Sequence, residues 1–79
     1  MIGERLKELI ELRGMTQAEL ARRMRVSPVS IHVWISNKGY PRIYQLANMC
    51  EELECSADYL LGLSDKIEMN TTRKGEKEL

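Results

Sequence analysis

The chain has no phenylalanine, two prolines, two cysteines, one histidine and no net charge. Each shortage closes off a class of protein. The aromatic residues are Trp34, Tyr40, Tyr44 and Tyr59 alone, and β-branched runs are absent, so a sheet-rich core has little to be built from. Cys50 and Cys55 have no histidine beside them and no ligand-spaced repeat, which leaves a zinc site two ligands short. With no secretory segment in view, they are expected as free thiols in or near the core, with a local disulfide or redox switch as the alternative. No apolar run has the length of a membrane span, and the expected location is cytoplasmic.

At 79 residues the chain is one domain. A domain this small buries only about 60% of the surface its unfolded chain exposes, so its long apolar residues are all needed for the core. A deep, walled pocket is hard to build under that constraint, whereas a compact helical module presenting one surface is easy. Asp58 and Glu19 have no nucleophile or second carboxylate placed to cooperate with them, and read as caps and surface charges. The chain is expected to be no enzyme, with no cofactor, metal or small-molecule ligand.

Zero net charge argues against a nucleic-acid partner until the charges are placed. Between Arg13 and Arg42 six basic residues face one acidic residue, Glu19; between Ile43 and Leu63 four acidic residues face no basic one. Such a dipolar domain meets the requirement for phosphate contact, which depends on locally clustered Lys and Arg rather than on the total.

Ile2, Leu6, Leu9, Ile10 and Arg13 share one arc at helical spacing and Glu4, Lys7, Glu8 and Glu11 the other, which predicts an amphipathic first helix closed near Gly14. Thr16-Gln17-Ala18-Glu19 is a capping-box sequence that opens a second helix with Leu20, Ala21 and Met24 inward. Arg22 and Arg23 point outward, either solvated or phosphate-bound. After a turn at Arg25-Val26, Ser27 is a good N-cap and Pro28 has no N–H to leave unpaired, so a third helix starts there. Its inner side is Ile31, Trp34 and Ile35; its outer side is Pro28, Val29, His32, Val33 and Ser36. Residues 37–41 are turn chemistry. A fourth helix is expected with Ile43, Leu46, Ala47, Cys50 and Leu53 inward and Met49 at the margin. A short fifth, capped by Ser56, uses Leu60 and Leu61 to close the core before Gly62. Tyr44 and Leu12 are left under-buried, as a dimer contact would leave them. Residues 64–79 carry little apolar content and read as a polar, flexible tail after a domain at 1–63.

Gln17, Ala21, Val26, Ile31 and Trp34 stand at spacings that resemble the helix-turn-helix of the phage repressor and Cro-like family, also called the xenobiotic-response-element family. The segments I-G-E-R-L-K-E-L-I, T-Q-A-E-L-A, V-S-x-x-S-I-x-x-W-I-S-N-K-x-Y-P and S-A-D-Y-L-L-G-L-S, in that order, are similar to the same family. The resemblance implies an all-α, five-helix lambda-repressor-like domain with its helix-turn-helix at helices two and three. It implies a transcriptional regulator, most simply a repressor, that binds a palindromic operator in duplex DNA as a homodimer with helix three in the major groove. By the same resemblance Gln17, Ser27, Asn37 and Lys38 hold backbone phosphates, with Arg42 added on charge. Pro28, Val29, His32 and Val33 are the matching base-reading positions, with Ser36 at the groove edge. The chain departs from the family in having no Gln, Arg or Asn there, and in placing Arg25 and Glu54 where glycine is usual. Two valines suit thymine methyl groups better than hydrogen-bonded readout. That keeps a second expectation open, a helix-turn-helix-shaped module that binds a protein partner.

Overall fold

The computed structural model describes residues 2–68. Five helices follow in order: α1 (Ile2–Leu12), α2 (Gln17–Met24), α3 (Pro28–Ile35), α4 (Ile43–Leu53) and α5 (Ala57–Leu61). Helix α2 packs on α3 and α4, α1 packs on α3 and α5, and α4 meets α5. One core results, with Leu6, Leu9, Leu20, Ile31, Met49, Leu53, Cys55 and Leu60 fully buried at its centre. Trp34 lies in the same core. The expected all-α, five-helix architecture is the one observed among the described residues.

The helix starts follow from local chemistry. The Thr16 hydroxyl accepts from the Glu19 N–H at 3.0 Å, Ser27 from Val29 N–H at 2.9 Å, and Ser56 from Tyr59 N–H at 3.0 Å, each satisfying an orphan donor of the first turn. The capping box at Thr16 is only half made. Glu19 turns its carboxylate to Arg23 at 3.1 Å instead of back to the cap.

All five helices end alike, on a residue in the left-handed region: Gly14, Arg25, Asn37, Glu54 and Gly62. In each case the next residue donates back five positions: Met15 N–H to Ile10, Val26 to Ala21, Lys38 to Val33, Cys55 to Cys50 and Leu63 to Asp58, all at 2.8 to 3.0 Å. This is the Schellman arrangement, and it reverses the chain within two residues. Glycine takes that conformation freely and asparagine tolerates it, but Arg25 and Glu54 carry a Cβ into it.

Three expectations need correction. Helix α4 faces the core differently from the expected arc: Met49 is fully buried while Ile43 is 88% exposed and Ala47 is exposed. Its first turn is exposed at Ile43 and Tyr44, and the core takes the arc of Leu46, Met49, Cys50 and Leu53. Leu61 is half exposed; Leu60 and Tyr59 fill the core from α5. Finally, residues 64–67, expected in the tail, lie on the domain. Arg5 donates to the Tyr59 and Ser64 carbonyls at 2.8 and 2.7 Å and pairs with Asp65 at 3.1 Å. Ser56 N–H donates to the Ile67 carbonyl at 2.7 Å, and the Ile67 side chain packs against the core. The rest of the expected tail, 69–79, lies outside the described residues.

Arg13 does not add an apolar contact to α1. Its guanidinium donates to the Leu53 and Glu54 carbonyls at 2.8 and 2.9 Å and so caps the C-terminus of α4, where the helix dipole favours a cation. On α5 the Tyr59 hydroxyl donates to Glu8 at 2.6 Å with Arg5 over its ring at 4.1 Å. That carboxylate, together with burial, holds the Tyr59 phenol above its ordinary range.

The left-handed arginine and glutamate generate a stability prediction. Arg25→Gly and Glu54→Gly each raise stability by about 1 kcal/mol, whereas alanine, which keeps the Cβ, brings no gain. Urea unfolding midpoints of the four variants check it; equal midpoints for the glycine and alanine variants would show that the turns are unstrained.

Candidate nucleic-acid interface

The exposed side of α3 is short. Pro28, Val29 and His32 are exposed along it, with Val29 69% exposed. The α3 N-terminus is fixed by Ser27, whose hydroxyl oxygen accepts from the Val29 N–H and so leaves its own O–H to donate outward. One turn on, the Ser36 hydroxyl lies 3.5 Å from His32 Nε2. Ser36 itself is half-buried.

Val33 departs from the expected reading face. It is half-buried and packed against the core, with Gly39 folded over it. A Cβ on Gly39 would come within 2.9 Å of Val33 Cγ1. The turn after α3 covers this residue, which helical angle alone could not foresee.

Asn37 also departs. Its backbone is the left-handed end of α3, and its side chain points into the protein. Oδ1 accepts from the Gly3 N–H at 3.0 Å, capping the start of α1, and Nδ2 donates to Glu4 Oε1 at 3.4 Å. Glu4 is held below the ordinary carboxylate range by backbone hydrogen bonding first and by Asn37 second. Gly3 is required at this crossing, because a Cβ there would collide with the Ile35 carbonyl and with the Asn37 amide. The end of α3 and the beginning of α1 are thus built as one joint.

The remaining predicted residues are exposed around this frame. Gln17 is the first residue of α2, beside the helix N-terminus. Lys38 follows the α3 terminus, and Arg42 is the N-cap residue of α4, its N–H donating to Gln45 Oε1 at 2.8 Å. Of the helix-two arginines, Arg23 is paired with Glu19 and lies 3.9 Å from Glu52, while Arg22 reaches Glu19 only at 3.9 Å. Arg25, not predicted as a site residue, stands exposed in the turn between α2 and α3. Its charge was visible in the sequence; its place depends on the left-handed turn. No cluster of metal-ligating residues occurs among the described residues, and no helix there is long and apolar enough to cross a membrane.

A family model described as a helix-turn-helix domain matches residues 3–66. The chain belongs to that family. Its helix-turn-helix is the α2–α3 pair, and two solved structures place it among repressor-like domains. The P22 c2 repressor protein, crystallised in complex with a synthetic operator, is 31% identical with a TM-score of 0.77, over 81% of this chain and 97% of that one. The N-terminal DNA-binding domain of SinR from Bacillus subtilis is 29% identical with a TM-score of 0.72, over 77% and 90% respectively. No curated protein matches the chain.

Because the helix-turn-helix is anchored to α1 at Gly3, Gly3→Ala lowers stability by about 1–3 kcal/mol through overpacking against backbone that cannot retreat. Denaturant unfolding measures it. A midpoint equal to that of the parent would mean that α1 is free to slide away from α3.

Proposed function

We propose that the chain is a sequence-specific, duplex-DNA-binding transcriptional regulator, most simply a repressor that occludes a promoter. The observation that carries this reading is the exposed face of α3, with Ser27, Pro28, Val29 and His32 outward, in a chain whose basic residues cluster from Arg13 to Arg42. The likeness to a repressor bound to its operator supports it.

In this reading α3 enters the major groove. Gln17 and the amides at the start of α2 hold one phosphate, and Ser27, Lys38 and Arg42 hold others; these contacts set position and not sequence. Asn37 serves through its backbone and through the joint with α1, its amide being engaged with Gly3 and Glu4. Pro28, Val29 and His32 meet the bases. Val29 packs on thymine methyl groups and His32 donates to a guanine acceptor, with Ser36 at the edge and Val33 behind. So few donors make direct readout thin, and sequence-dependent DNA shape supplies a larger share of the discrimination.

The reading includes a two-fold dimer on a palindromic operator, its two α3 helices about 34 Å apart. Exposed apolar side chains support it. Tyr40, Ile43 and Tyr44 stand out from the segment after α3, beside a shallow groove of about 180 Å³ lined by Ile2, Tyr40, Pro41, Leu46 and Leu61.

A salt titration tests the whole reading. Affinity for duplex DNA should fall steeply, with log K dropping by about 0.9 per log unit of salt for each phosphate neutralised. Binding that is absent at low salt, or flat across the titration, fits a protein-binding module instead. Within the titration Gln17→Ala weakens all duplexes alike, by about tenfold, while Val29→Ala shifts the preferred sequence selected from a random pool. A Gln17→Ala protein with altered preference and intact affinity would contradict this docking.

A further inference from the structure

The two cysteines occupy one particular pair of positions. Cys50 stands three residues before Leu53, the last residue of α4, and Cys55 is the residue immediately after the left-handed Glu54. In a Schellman turn those two side chains face each other, usually as an apolar contact. Two of the other four termini place apolar residues there, Ile10 with Met15 and Ala21 with Val26; here both members are thiols. The Cys55 N–H lies 3.0 Å from the Cys50 carbonyl oxygen. Adding the fixed backbone bonds on either side caps the Cα separation at about 7 Å, and disulfides span roughly 4.4–6.8 Å. Both residues sit in the same core cluster, Cys50 4% exposed and Cys55 0%.

We infer that Cys50 and Cys55 form a thiol–disulfide exchange site, oxidised by a low-molecular-weight disulfide to an intramolecular bridge that staples the α4–α5 turn. The sequence of bonds balances without any group beyond that oxidant. The Cys50 thiolate attacks one sulfur of the small disulfide, breaking its S–S bond and releasing one small thiolate that takes up a proton. The Cys55 thiolate then attacks the Cys50 sulfur of the mixed disulfide and expels the second small thiol. The protein loses two protons and two electrons, together two hydrogen atoms, and the small disulfide gains them. Cys50 attacks first for two reasons. It is the less buried, and the neighbouring Cys55 S–H stabilises its thiolate and lowers its pKa, while that same contact and burial push Cys55 up. The oxidant reaches it when α5, five residues long, opens locally.

The bridge forms where the side chains already meet, at the α4–α5 junction and on neither helix of the helix-turn-helix. It therefore acts as a lock on the fold and leaves α3 in place.

The full chain, incubated with oxidised glutathione and read by intact mass, should lose two hydrogens, show no free thiol after unfolding and stay monomeric on a non-reducing gel. Its melting temperature should rise on the order of 5–10 °C and return on reduction. A Cys55→Ala variant should stop at the mixed disulfide, one glutathione per chain. Several results overturn the proposal: two free thiols remaining in the wild-type chain, a stable glutathione adduct on it, a disulfide-linked dimer, or a melting temperature that falls on oxidation. The wild-type mass decides the matter even if the alanine variant does not fold.

Discussion

No helix among the described residues exceeds eleven residues, and isolated helices shorter than about 12–15 residues are marginal in water. Each therefore depends on how it is ended and on what it is then packed against. The left-handed residue that closes all five helices is the constraint from which the rest of the structure follows. A back-bond across five positions turns the chain sharply, so that short helices can surround one core without long connections. It also sets the angle between α2 and α3, because Val26 N–H donates to the Ala21 carbonyl and the next residue is already the cap of α3. Arg25 and Glu54 meet this requirement at some cost in backbone strain, and Asn37 meets it at less.

Much of this was legible in the residues. Thr16, Ser27-Pro28 and Ser56 mark helix starts by chemistry that acts within four residues, and Gly14 and Gly62 mark ends in the same way. Local rules read such signals directly. The facing of α4 was not legible. Ile43, Leu46, Ala47, Met49, Cys50 and Leu53 spread apolar atoms over a wide arc, and which part turns inward depends on how α2, distant in sequence, and α5 pack against it. The place of residues 64–67 is hidden for a related reason. Their polar composition suits a tail, yet Arg5 and Ser56 bind their backbone, and backbone carbonyls are the same whatever the sequence.

The candidate interface divides along the same line. Outward exposure of Pro28, Val29 and His32 follows from helical angle once Ile31 and Trp34 are buried. The covering of Val33 depends on the fold of the turn that brings Gly39 over it. Asn37 is the sharper case. A short polar residue after a helix suits both an outward contact and a left-handed cap, and only the approach of Gly3 decides that the amide turns inward.

On the proposed reading, that inward turn bears on how a helix so poor in hydrogen-bond donors discriminates between sequences. A valine against a thymine methyl group gains little from angular precision taken alone, but it loses its contact within a small displacement, since dispersion falls away over a fraction of an ångström to one ångström. Recognition by shape and apolar contact therefore asks for a helix held in a fixed place. Here α3 is held at both ends: Ser27 caps its start, and its end is joined to α1 through the Ile35 carbonyl, Gly3 and the Asn37 amide. On the proposed reading, Asn37 contributes to specificity without touching DNA. It gives up an outward amide and secures in exchange the position of every side chain that does face the groove.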